Sequence, residues 1–238
     1  MLNLIVGGVV IFGAFGLILL FIIKSDPAHR EKQENSELEA LRNLAKNHGS
    51  EELSPDRLSS LEAELTDFAG LGALDPSGGF RRNFDSSRRA PVRFGFVMDV
   101  NGVHAYVLEK RGVVHQSGGK RQHTVGCWIP SEGWAADGEI LVYPTSALTA
   151  KAQPDGDGWT VDRDSASGYA TFSHRAESAT AKALGEIVSR SGVPGFSLHA
   201  REGKLLVFIQ RRGHFGSSEK ELQTLIQVTG NLVSEAYA

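Results

Sequence analysis

The chain has 238 residues, with 25 Lys and Arg against 28 Asp and Glu, a net charge of −3 and a single cysteine. That charge balance gives no electrostatic case for nucleic acid as the main partner. One thiol cannot build an intrachain disulfide framework or a thiolate zinc site, while the length allows one membrane segment plus one or two small units with a real core.

Residues 2–23 read LNLIVGGVVIFGAFGLILLFII, without a charge. As a helix they span roughly 33 Å, enough for a hydrocarbon core of about 30 Å. A buried helix of a soluble protein would keep a polar stripe. A cleaved signal peptide would carry Lys or Arg ahead of a shorter apolar run. We therefore expect a transmembrane helix over 1–24. Lys24, Arg30, Lys32 and Arg42 follow it and no Lys or Arg precedes it. The positive-inside rule then predicts an inner-membrane, single-pass protein with its N-terminus outside and its C-terminal domain cytoplasmic. Gly7, Gly8, Gly13 and Gly16 would let a partner helix approach closely, though no G-x-x-x-G occurs.

A helical pair is expected over 25–69. Leu38, Leu41, Leu44 and Ala45 recur at helical spacing in the first helix, which Gly49 should cap. Ser54-Pro55 is an N-cap followed by a first-turn proline, with Leu53 stapled on Leu58. The second helix then presents Leu58, Leu61, Leu65 and Phe68. These stripes are too small for an independent domain, and Leu38, Leu41, Leu58, Leu61, Leu65 and Phe68 are read as a surface for a partner protein. Residues 70–91 read as a flexible linker, whose Arg81, Arg82, Arg88 and Arg89 are candidates for lipid-headgroup contact.

From Val92 the pattern turns to strands. Val92–Val100 and Val103–Glu109 flank Asn101-Gly102, a strong hairpin signal. Strands are expected over Lys120–Ile129, Glu139–Tyr143, Trp159–Val161 and Tyr169–Phe172, then a helix over Ala176–Ser191. A hairpin, Phe196–Ala200 and Leu205–Gln210, turns at Glu202-Gly203. Ser217 or Ser218 caps a last helix. Residues 112–119 and 130–138 read as loops. The fold class is α+β: a transmembrane helix, a helical pair, then a mostly antiparallel sheet with two helices over 92–238.

Arg121-Gln122-His123-Thr124-Val125, Val142-Tyr143-Pro144, Tyr169-Ala170-Thr171-Phe172 and Gly203-Lys204-Leu205-Leu206-Val207 come in the order seen in a family of bacterial membrane-anchored proteins with a domain of unknown function. The chain resembles that family between Phe94 and Gln210. The resemblance implies a fold and no activity.

Catalytic signatures are weak. Cys127 follows His123 by four residues, which on one strand separates them by about 13 Å, too far for a thiolate–imidazole pair. A buried structural cysteine is the better reading. Asp155-Gly156-Asp157-Gly158 lacks the remaining ligands of a calcium loop. Ser117-Gly118-Gly119-Lys120 lacks the pattern of a phosphate loop. Lys110, Arg111, Lys120 and Arg121 read as a solvated basic cluster. No cofactor or metal ligand set is identified. The expected function is that of a non-enzymatic accessory or scaffold subunit docked on a larger membrane complex, an energy-converting one among the candidates. The alternatives are a membrane-tethered sensor of a small ligand or lipid, and an enzyme using scattered residues such as His123, His199 and Asp162.

Overall fold

The computed structural model describes residues 27–69, 92–114, 120–134, 138–145, 158–164, 168–174, 179–190, 196–212 and 218–236. Four helices are seen among them: α1 (Pro27–Asn47), α2 (Pro55–Ala69), α3 (Ala179–Arg190) and α4 (Ser218–Ala236). Eight strands accompany them: β1 (Val92–Val100), β2 (Val103–Val114), β3 (Lys120–Trp134), β4 (Ile140–Pro144), β5 (Thr160–Asp164), β6 (Tyr169–Ser173), β7 (Phe196–Arg201) and β8 (Gly203–Arg212). The expected α+β class holds. Among the described residues no helix is long and apolar enough to cross a membrane. The expected span over 1–24 lies outside them, as do Gly7, Gly8, Gly13, Gly16, Arg81, Arg82, Arg88 and Arg89.

The chain divides into two compact units, Met1–Leu41 and Arg42–Ala238. In the first, the described residues belong to α1. Leu38 is half-buried there and Leu41 fully buried, while Glu31, Lys32, Asn35, Ser36 and Glu39 are exposed. The second unit starts at Arg42, ahead of the domain start expected at Val92. α2 belongs with the strands.

Among the described residues all strand pairings are antiparallel, in one sheet of order β1-β2-β3-β8-β7-β4-β6-β5. Two turns fix the hairpin registers. Asn101 and Gly102 both have positive φ, 53° and 81°, and Val100 pairs Val103 across them. Glu202 and Gly203 do the same at 49° and 78° between Arg201 and Lys204. Two-residue turns of this hand match the twist of the strands.

Helices cover both faces. Successive strand side chains point to opposite faces. On β3, Trp128 meets Phe68 of α2, with ring centroids 4.5 Å apart, while Cys127 faces Thr229 of α4. On β6, Phe172 shares a buried cluster with the stripe of α2, whereas Thr171 lies under Gly185 of α3. The result is three layers.

The edge of β1 is covered by the chain between α1 and α2. α1 ends with the Gly49 cap: Gly49 has φ +68°, its N–H donates to Lys46 O at 2.9 Å, and Ser50 N–H donates to Ala45 O at 2.9 Å. This is the double closure of a Schellman end. The Ser50 hydroxyl then donates to Val97 O, Glu52 bridges Phe96, and Leu53 N–H donates to Gly95 O at 2.8 Å. An exposed strand edge invites foreign pairing, and these contacts occupy it. The Arg42–Glu52 ion pair, 2.6 Å, closes the turn from outside.

α2 starts as expected. Ser54 Oγ accepts from Arg57 N–H at 3.3 Å, with Pro55 in the first turn. Its stripe does not await a partner. Leu58, Leu61, Leu65 and Phe68 are buried in one cluster with Leu108, Trp128, Leu141, Phe172, Leu206 and Phe208 of the sheet, and Leu53 packs on it. The four residues read from the sequence as a partner surface thus pack on this chain's own sheet. A helical stripe records that a face is covered, not by what, and here the cover is this chain's own sheet. Gly95 permits the close approach: a Cβ there would meet Leu108 Cδ2 at 2.7 Å and Leu58 Cδ2 at 3.0 Å.

Two loop expectations also give way. β2 runs on to Val114, which pairs Lys120, so residues 112–114 belong to the strand. β3 passes through Pro130 to Trp134, with a register irregularity between Ile129 and Trp134 that absorbs the proline.

Candidate functional site

One row of residues crosses the α2-covered face in register. Val97 pairs Tyr106, Tyr106 pairs Trp128, Trp128 pairs Leu206, Leu206 pairs His199, His199 pairs Leu141, and Leu141 pairs Phe172. His199 is the titratable residue in the middle of this apolar row, and it is buried. Its Nε2 lies 2.6 Å from Glu139 Oε1. The Phe68 ring covers it at 4.4 Å between centroids, and the same ring reaches Trp128. Phe68 therefore sits over Leu206, with the imidazole on one side and the indole on the other.

β7 explains why polar groups collect here. Phe196, Leu198 and Ala200 lie on the face covered by α3, while Ser197, His199 and Arg201 form the alternate set. On the neighbouring strands β8, β4 and β6 the residues in the same row, Leu206, Leu141 and Phe172, are apolar. Arg201 follows Ala200, the register partner of Ile140, two residues along β7 from His199. The Arg201 Nη2 donates to Glu202 at 2.8 Å, but its Nη1 is buried without an acceptor among the described residues. The Trp128 Nε1 is likewise buried without an acceptor, on a side chain with 1% exposure. A buried donor left unmatched costs about 1–3 kcal/mol. Tyr143, two residues beyond Leu141, has its phenol pKa raised by burial and, secondarily, by the charge of Glu139.

Chemically this is a carboxylate-held imidazole under an aromatic cover, with two unmatched N–H donors nearby. Such a carboxylate fixes the tautomer and orientation of the ring.

The scattered triad suggested by the sequence is not assembled. Asp162 is exposed on the sheet-edge strand β5, opposite Thr171 on the face of α3, whereas His199 is buried on the other face. His123 stands opposite Arg211, four residues before Cys127 on β3. Cys127 is fully buried, and burial pushes its thiol up to about 12, only partly opposed by the Thr229 hydroxyl. That is the inert environment expected of a structural cysteine. Lys110 is not a solvated member of a basic cluster. It is buried, with Nζ 3.2 Å from Glu62 Oε1 of α2. Gly118 and Asp155 belong to stretches outside the described residues.

A separate cleft of about 480 Å³ opens between the start of β1 and the first turns of α2, floored by Leu53, Pro55, Leu58 and Val92. Its charged rim is committed elsewhere: Glu52 to Arg42, Glu62 to Lys110, and Arg93 to Glu109 at 3.7 Å.

Glu139 and Arg201 carry no motif in the sequence. The available signal was the polar alternation Ser197, His199, Arg201 within a strand otherwise fit for a core.

Comparison with protein-family models, curated proteins and solved structures finds no match to this chain.

Proposed function

We propose that the chain is a single-pass, membrane-anchored, non-enzymatic accessory or scaffold subunit of a larger membrane protein complex, with its C-terminal domain in the cytoplasm. The observation that carries this reading is how the reactive side chains of the second unit are spent. Glu62 holds Lys110, Arg93 meets Glu109, Glu139 holds a covered His199, and Cys127 is buried with a raised pKa. These groups fasten the helices and strands to one another. The uncharged stretch 2–23 and the basic residues after it support the anchor and its orientation. The resemblance between Phe94 and Gln210 to membrane-anchored bacterial proteins belongs to the same proposal.

Since the α2 stripe is used within the chain, docking falls to the anchor, with Gly7, Gly8, Gly13 and Gly16, and to the Leu38 side of α1. Arg81, Arg82, Arg88 and Arg89 add headgroup contacts.

Purification in mild detergent, followed by identification of co-purifying proteins, tests the proposal. The full chain should bring down a defined membrane partner, and deletion of residues 1–24 should abolish both co-purification and membrane sedimentation. A full chain that purifies alone, or a truncated chain that still sediments with membranes, overturns it. Thiol-labelling of a cysteine placed at position 238 should succeed only after the cytoplasmic side is opened.

A further inference from the structure

We propose that the space beneath the last turn of α2 is a binding site for a planar aromatic carboxylate, and that the Phe68 ring is a displaceable plug occupying it. The site is independent of the anchoring role proposed above.

The shape comes from the rings. Phe68 lies 4.4 Å from the His199 imidazole and 4.5 Å from the Trp128 indole, which it meets at 63°. A slot that accepts a phenyl ring between two aromatic groups accepts another flat ring of that size, with the same edge and face contacts. The chemistry comes from the donors. Trp128 Nε1 and Arg201 Nη1 are both buried and both lack an acceptor among the described residues. They lie on one face of the sheet. Trp128 is across Leu206 from His199, and Arg201 is two residues along β7 from His199. A phenyl ring offers the indole N–H at most a weak π acceptor, and the guanidinium nothing of its own kind. A carboxylate offers each a charged oxygen, the partner that guanidinium groups prefer.

Glu139 is the group that opposes an anion. Its carboxylate is committed to the His199 ring at 2.6 Å. The acid next to Arg201, Glu202, is mostly exposed, with 67% of its side chain accessible. It is therefore screened by water. Phe68 is also placed to move. It is the penultimate residue of α2, and terminal helical turns open at lower cost than helix centres.

The test uses the full chain in detergent micelles, with the tryptophan indoles labelled for NMR. The probes are benzoate and benzyl alcohol, the same ring without the carboxylate. The Trp128 indole N–H resonance is assigned by its loss in Trp128→Phe. Benzoate should move it downfield, saturably, and bind at least about tenfold more tightly than benzyl alcohol. Arg201→Gln should abolish that preference, and Phe68→Ala should tighten benzoate binding. An unmoved Trp128 resonance at saturating benzoate overturns the proposal. So does equal binding of the two probes, which marks a plain apolar cavity, or an Arg201→Gln protein that binds benzoate as the wild type does. The wild-type and Arg201→Gln measurements decide the matter even where Phe68→Ala does not fold.

Discussion

Glu62 of α2 and Lys110 of β2 lie 3.2 Å apart, and the lysine side chain is only 6% exposed while the glutamate keeps 31%. The same carboxylate takes the Val92 N–H at 3.4 Å, so one side chain of α2 holds both the start of β1 and the middle of β2. Burying an ammonium is costly unless a carboxylate faces it. Glu62→Ala should destabilise the protein by about 1–3 kcal/mol, less than a fully buried pair because Glu62 is partly solvated. Adding Lys110→Met should recover most of the loss. Urea unfolding of the single and double variants measures both.

The stripe of α2 leads to a second expectation. Leu61 and Leu65 are fully buried against the sheet. Each Leu→Ala change should cost about 2–5 kcal/mol, the range for large-to-small changes in a packed core. Asp at either position should prevent folding rather than merely release a partner. The fragment 92–238 should accordingly lose its cooperative transition, while 42–238 keeps it. Thermal unfolding followed by circular dichroism separates the two. A fragment 92–238 with the midpoint of 42–238 would mean that the helix only rests on the sheet.

The elements most legible in the sequence are those that local chemistry dictates. Asn101-Gly102 and Glu202-Gly203 mark their turns, Gly49 ends α1, and Ser54-Pro55 starts α2, because each needs a particular residue at a particular backbone angle or cap. What was not legible depends on residues far apart in the chain. β8 enters the sheet beside β3, and β7 beside β4, so strand neighbours could not be read from adjacency. The cover of the β1 edge by residues 50–53 rests on single hydrogen bonds. The Glu139–His199 pair joins residues sixty positions apart, and neither has a local motif. The missed ends of β2 and β3 have a different cause. Gly112, Pro130 and Gly133 are turn formers by preference, but Gly112 pairs Gln122 in the β2–β3 ladder, and β3 passes Pro130 and Gly133 through its register irregularity.

Glu202 gives a prediction of gain. It holds φ 49° in a two-residue hairpin turn where a side chain with a Cβ is strained, and Asn tolerates that angle best among residues other than glycine. Its contact with Arg201 is exposed and contributes little. Glu202→Asn should stabilise the domain by about 0.5–1 kcal/mol, and the midpoint of chemical unfolding should rise with an unchanged slope.

The last prediction concerns pH and follows from Cys127. The folded thiol is pushed up to about 12, well above its ordinary value, because ionising it would place a charge in the core between β3 and α4. In the unfolded chain the thiol loses its proton near its ordinary pKa. Below that value both states carry the proton, and the group has no effect on stability. Between the two values the unfolded state is ionised and the folded state is not, so the unfolded state gains and stability falls as pH rises. Tyr143, also raised by burial, acts in the same direction at higher pH. Unfolding free energy should therefore decline from about pH 9 upward, and Cys127→Ala should flatten the lower part of that decline. At neutral pH a thiol reagent should label the folded protein only as fast as the domain opens. Rapid labelling of the native domain, or a decline with the same profile in Cys127→Ala, would show that the thiol is not held neutral in the core.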